Sequence, residues 1–251
     1  MSPGRLEACG LSDVGRARAH NEDSFASVPE LGLFIVADGL GGHRHGELAS
    51  GLAVESIRRA VEAAHAGRAG RAGSITHAQA LREAVEGAHA EVLEAIEQDS
   101  SLVGMGTTVV ALWVCGGTAA IAHVGDSRAY CLRRGKLEQL TDDHSWVHEQ
   151  VVEGHLSEAQ AREHPLRNVV TQALGGYDPV TVAVVEQEAR PGDVFLLCSD
   201  GLTSMLDDAE IAACTNGEGS LEELGQELVR RANERGGLDN ITVVLIRIQD
   251  V

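Results

Sequence analysis

Four short runs of this 251-residue chain are apolar almost throughout: Leu33–Ala37, Val109–Cys115, Val194–Cys198 and 241–246. Each is too short for a buried helix and lacks the alternation of a strand with one wet face. They read as strands covered on both faces, as when sheets are sandwiched between further layers. Three other segments have helical spacing. Their apolar stripes are Leu48, Leu52, Ile57, Val61 and Ala64; Leu81, Val85, Ala88, Val92 and Ile96; and Leu221, Leu224, Leu228 and Ala232. The first two follow one another across the glycine-rich joint 67–73, too short for a domain linker. Residues 119–124 and 128–132 flank a Gly125-Asp126 turn and predict an antiparallel hairpin. Strands and helices do not alternate, so a doubly wound parallel sheet is disfavoured and an α+β layered sandwich is preferred. The reading is one domain over 1–251 with one polar, helix-toned insertion over 142–166, anchored by Val147, Val151 and Leu156 and expected to be mobile.

The aspartates at the ends of the buried runs carry the chemistry. Asp38-Gly39 follows the first run, Asp200-Gly201 follows the third, Asp126 follows Val124-Gly125, and Asp239-Asn240 precedes the fourth. Any one of them alone is ordinarily a turn residue or a helix cap. Four at strand ends can converge on one cleft, where they would repel unless cations neutralised them. An all-oxygen set selects Mg²⁺ or Mn²⁺ over Zn²⁺. The string Gly15-Arg16-Ala17-Arg18-Ala19-His20-Asn21-Glu22-Asp23 sets arginines before an acidic pair. A guanidinium fork fits two phosphate oxygens, and Glu22 and Asp23 could hold metal-bound waters. The plainer reading of that string is a surface loop with an exposed ion pair.

Other classes are excluded on composition and spacing. The chain holds 38 acidic and 20 basic residues, a net −18. Its densest basic segment, Arg68 and Arg71 among glycine and alanine, is no phosphate-backbone face, so nucleic acid is not an expected partner. No apolar stretch is long enough to span a membrane, and the first residues show no signal-peptide grammar. Cys9, Cys115, Cys131, Cys198 and Cys214 form no Cys-x-x-Cys pair, which suits a reducing cytoplasm and core packing rather than disulfides or zinc. No cysteine is followed six positions on by arginine, and no phosphate-binding Gly-Lys loop or Gly-x-Ser-x-Gly elbow occurs. His144 and His148 lack a His-Glu-x-x-His context and read as solvated helix residues.

At these residues the sequence resembles the bacterial form of the type 2C metal-dependent serine/threonine protein phosphatases. The matching pieces occur in the family order: Asp13-Val14-Gly15 with Arg18 and Asn21-Glu22-Asp23; Val36-Ala37-Asp38-Gly39-Leu40-Gly41-Gly42-His43; Gly106-Thr107-Thr108; Val124-Gly125-Asp126-Ser127-Arg128; the stretch from His164-Pro165-Leu166-Arg167-Asn168 to Gly175; Cys198-Ser199-Asp200-Gly201-Leu202; and Asp239-Asn240-Ile241-Thr242. The resemblance implies a four-layer α-β-β-α sandwich of two antiparallel sheets, with 142–166 as a flap beside the active site. It implies that Asp38 bridges two Mn²⁺ or Mg²⁺ ions, the Gly39 carbonyl binds the second, Asp200 and Asp239 complete the first site, and Asp23 with Glu22 acts through water. Arg18 would hold the substrate phosphate, and Asp126 would share a third ion with Asp200. The implied reaction is hydrolysis of phosphoserine and phosphothreonine on proteins by a water bridging the two ions, opposing a Ser/Thr kinase, in a monomeric cytoplasmic enzyme. A small-phosphoester hydrolase and an inactive binding relative are the alternatives. The sequence departs from the pattern at Leu40, where several members have a histidine proposed to protonate the leaving alcohol; His43 or a metal-bound water are the substitutes.

Overall fold

The computed structural model describes residues 5–41, 44–67, 76–176 and 179–249. The glycine-rich joint, with Arg68 and Arg71, and His43 lie outside the described residues. In chain order the strands are β1 (Leu6–Asp13), β2 (Ser24–Val28), β3 (Leu33–Ala37), β4 (Gly39–Leu40), β5 (Gly106–Thr107), β6 (Val109–Cys115), β7 (Thr118–Val124), β8 (Arg128–Arg133), β9 (Lys136–Gln139), β10 (Ala183–Glu188), β11 (Val194–Cys198) and β12 (Ile241–Ile248). The helices are α1 (Arg44–Gly67), α2 (His77–Gln98), α3 (Trp146–Val152), α4 (Glu158–Glu163), α5 (Asp200–Thr203), α6 (Asp208–Thr215) and α7 (Leu221–Glu234).

Two five-stranded antiparallel sheets, ordered β1-β12-β11-β8-β9 and β10-β7-β6-β3-β2, stack face to face. The apolar runs are explained by the period of two. In β3, Leu33, Ile35 and Ala37 meet α1 and α2, while Phe34 and Val36 enter the layer between the sheets. In β12, Ile241, Val243 and Leu245 meet α5–α7, while Val244, Ile246 and Ile248 turn to the opposite sheet. The four-layer α-β-β-α sandwich is therefore observed. Cys115, Cys131 and Cys198 pack inside it, and none of the five cysteines is in a disulfide. Helix starts are capped locally: Ser157, Asp207 and Ser220 each complete a reciprocal box with the side chain three residues on.

Two expectations are corrected. β7 and β8 do not form a hairpin; they belong to different sheets, and Gly125-Asp126-Ser127 carries the chain from one to the other. Gly125 has φ +101°, and a Cβ there would press on the Thr108 side chain at 2.6 Å, so the crossover is held against the start of β6. The partner of β7 is β6, joined through Gly116 and Gly117 at φ +59° and +76°, the left-handed pair that a tight hairpin needs. His144 is not a solvated helix residue: it precedes α3, is half-buried, and stacks on buried His123. The insertion itself folds as α3 and α4. Its base is closed by a Ser145–Val170 bridge and by the Trp146 amide donating to the Val169 carbonyl (2.9 Å).

Candidate active site

One edge of the sandwich gathers the acidic groups because the strands that carry them end there. Asp23 precedes β2, Asp38 follows β3, Asp126 sits in the crossover, Asp200 opens α5 after β11, and Asp239 lies two residues before β12. The Asp38 backbone is clamped: its carbonyl accepts from the Thr108 amide (2.9 Å) and Thr107 Oγ1 (2.8 Å), and its amide donates to Thr108 Oγ1 (3.2 Å). Gly39 is required by close approach, since a Cβ there would overlap the carbonyls of Gly46 and Glu22; at Gly201 a Cβ would overlap the Asn240 carbonyl. Asn240 ties the arginine loop to the same edge. Its Oδ1 accepts from the Glu22 amide (2.8 Å), and its Nδ2 donates to the Val14 and His20 carbonyls (2.9 Å each).

These carboxylates perturb one another, as groups crowded into one desolvated cleft must. Asp38 is held well above the usual carboxylate range, by burial first and then by the charges of Asp23, Asp200, Asp126 and Asp239. Burial pushes Asp23 up to about 7 against hydrogen bonds from Thr242 Oγ1 (2.6 Å) and Ser199 Oγ (2.8 Å) to its Oδ2. Asp200 is pushed up to about 6, by burial and then by Asp239, and Asp126 is raised by burial and then by Asp200. Asp23 Oδ1 and Asp200 Oδ1 are buried without a hydrogen-bond partner. A buried carboxylate oxygen left bare is costly unless a cation meets it, so this donor set fits hard divalent ions. Among the described residues no three acidic, histidine or cysteine side chains are already closed around one point. Arg18 holds Asp239 (Nη2 to Oδ2, 2.6 Å) and the two hydroxyls hold Asp23 instead.

The structure thus brings Asp23, Asp38, Asp126, Asp200 and Asp239 together and sets Arg18 beside them. Glu22 sets its carboxylate against Gly46 in the first turn of α1, beside the Gly39 backbone, and its charge reaches Arg18. Arg16 stays at the rim, its amide donating to the Gly237 carbonyl (2.7 Å). Sequence reasoning gave no role to Ser199, Thr242, Asn240, Thr107 and Thr108. Their signal was membership of the matching pieces Gly106-Thr107-Thr108, Cys198-Ser199-Asp200-Gly201-Leu202 and Asp239-Asn240-Ile241-Thr242. A cleft of about 680 Å³ extends from Asp126 and Asp200 between α3–α4 and α6, with His148, Arg162, Asp207 and Asp208 on its walls.

The chain belongs to the protein phosphatase 2C family, whose model matches residues 15–245. It is similar to the serine/threonine phosphatase stp of Listeria monocytogenes, at 38% identity over 241 residues, covering 94% of this chain and 93% of that one. It also resembles the crystal structure of the Mycobacterium tuberculosis serine/threonine phosphatase PstP/Ppp, with a TM-score of 0.88, 34% identity, and 97% and 99% of the two chains covered. The catalytic domain of PstP solved in complex with two manganese ions gives a TM-score of 0.84 at 33% identity, covering 96% and 97%.

Proposed function

We propose that this protein is a metal-dependent phosphatase that hydrolyses phosphoserine and phosphothreonine on proteins. The observation that carries the reading is the cluster of four desolvated aspartates, Asp23, Asp38, Asp126 and Asp200, two with bare buried oxygens, with the Asp239–Arg18 pair at its edge. Asp38 with the Gly39 carbonyl, Asp200 and Asp239 would hold two Mn²⁺ or Mg²⁺ ions. Asp23, with Glu22, would act through water, and Asp126 with Asp200 would hold a third. Bound there, the ions supply positive charge to the phosphoryl oxygens and lower the pKa of water at the attacking position. Asp38 sits where its negative charge serves the whole cluster, and Thr107 and Thr108 keep it there. The side chain of Leu40 offers no proton to a leaving alcohol. The α3–α4 flap and the cleft beneath it would receive the polypeptide around the phosphorylated residue.

The natural antagonist is a Ser/Thr kinase, the class of enzyme that makes this substrate. The absence of disulfides among the five cysteines supports a reducing, cytoplasmic setting, and a monomer suffices because the cluster is built from one chain. Among the described residues no helix is long and apolar enough to cross a membrane. Turnover of a phosphothreonine peptide should vanish in chelator and return with Mn²⁺ or Mg²⁺ but not with monovalent ions. Full turnover by metal-free protein, or faster turnover of nucleotides than of phosphopeptide, would defeat the reading.

Arg18 is the group set to grip the phosphate. It is half-exposed and now paired with Asp239, whose hydrogen bond raises its pKa, so a phosphate would share or take over that fork. Arg18→Ala should raise KM by about tenfold, the low end for a charge-assisted contact at an accessible position. Inhibition by free phosphate should weaken in parallel; an unchanged phosphate Ki would remove Arg18 from this role.

A further inference from the structure

Two histidines where the flap leaves the sheet have no part in the site described so far. His123, near the end of β7, is buried, and His144 stacks on it with ring centroids 4.9 Å apart and planes 27° apart. His123 Nε2 lies 2.9 Å from the Asp142 carbonyl, which can only accept, so that nitrogen carries the proton. His144 takes the same tautomer, with its Nδ1 bare. Its Nδ1 accepts from the Gly125 amide (3.2 Å), while its own amide donates to the Gly125 carbonyl (3.0 Å). Both backbone polar groups of Gly125 are therefore held by one residue. Gly125 itself is fixed in the left-handed region against Thr108, and the next residue is Asp126. On its far side the His144 carbonyl accepts from the Thr171 amide (2.8 Å), which closes the returning end of the flap. Burial, then neighbouring His123, lowers His144 to about 4, so its Nδ1 stays free to accept.

We propose that His144 is a positioning residue that fixes the Asp126 carboxylate beside Asp200 by gripping Gly125 from both sides, and so joins the base of the flap to the acidic centre. The inference rests on the reading of Asp126 as a working member of that centre. Asparagine can place an Oδ1 where His144 presents Nδ1, leucine offers no acceptor, and glutamine sets one a bond farther out.

The test uses the full chain with Mn²⁺ and a phosphothreonine peptide, and compares His144→Leu, His144→Asn, His144→Gln, Asp126→Ala and the double variant of Leu with Ala. His144→Leu should lower kcat by about 10–100-fold with KM little moved, the range for a group that orients a ligand. His144→Asn should recover most of the loss and His144→Gln should not. In the Asp126→Ala background His144→Leu should add no further loss in kcat, whereas its cost in melting temperature should be the same in both backgrounds. In metal-free protein, hydrogen exchange at the Gly125 amide should be slow in wild type and His144→Asn and fast in His144→Leu. Multiplicative losses in the double variant, or equal rates for Asn and Gln, would overturn the proposal. If Asp126→Ala alone turned over like wild type, the reading of Asp126 would fall and the proposal with it. If Asp126→Ala were impaired while His144→Leu was silent, only the positioning role would fall. Should His144→Leu not fold, the Asn and Gln pair carries the same comparison.

Discussion

Asp38→Asn should abolish phosphopeptide turnover, by about 10³-fold or more, and at the same time raise the melting temperature of the protein in chelator. The activity loss follows from taking the charge off the residue on which four other carboxylates act, since charge compensation by bound ions is worth several kcal/mol in phosphoryl transfer. The stability gain follows from the same crowding. Without cations, Asp38 is buried among Asp23, Asp200, Asp126 and Asp239, and one fewer carboxylate relieves the repulsion. Asparagine keeps the shape, and the clamp on the Asp38 backbone by Thr107 and Thr108 does not depend on the carboxylate. Melting curves and single-substrate kinetics on one preparation decide it. An active variant, or one that melts lower than wild type in chelator, would mean that Asp38 is not the centre of the cluster.

The metal-free protein should lose stability as pH rises from about 4 to about 7, and Mn²⁺ should restore it at the alkaline end. Asp23 at about 7 and Asp200 at about 6 lie above their ordinary value of 3.8, and Asp38 and Asp126 move the same way. Between the unfolded and folded values the native state binds more protons than the unfolded chain, so the unfolding free energy falls with pH through that window. Below it both states are protonated; above the folded values both are ionised and the dependence ends. Cations that bind only the folded cluster add stability by mass action, most where the carboxylates are ionised. Thermal melts at pH 5, 6, 7 and 8 in chelator and in Mn²⁺ should diverge as pH rises. Parallel curves would show that the aspartates do not titrate as one desolvated group.

The layered sandwich was legible because strands such as β3 and β6 are apolar at every position, and only a sheet with both faces covered accepts that. The crossover was not legible. A Gly-Asp turn between two apolar strands looks the same whether the strands pair or part, and what decided it was a better turn elsewhere: Gly116-Gly117 supplies two left-handed residues and claims β7 for β6. The stripe of α1 was misjudged at Leu48, which is 40% exposed, because small Ala49 and Ala53 take the inward positions beside Ile57. At the site, aspartates announced themselves as charges abutting core strands. Their supports did not: Ser199 and Thr242 reach Asp23 across 176 and 219 residues, and a hydroxyl bond over such separations leaves no local pattern.

The order β1-β12-β11-β8-β9 has a consequence for how the chain comes to life on the ribosome. β1 is synthesised well before β12, its partner in the sheet. At ordinary elongation rates of about 5–20 residues per second, the residues of β1 wait roughly ten to fifty seconds for that partner. During that time their edge is open to wrong pairing, and so is the flank of β11 that β12 later covers. Asp239 and Asn240 arrive with the same late strand, and Asn240 is what draws the arginine loop onto the sheet edge. An unfinished chain therefore holds neither the complete acidic cluster nor the docked guanidinium. Chains stalled before residue 241 should be silent toward phosphopeptides, and readily captured by chaperones that recognise open strand edges.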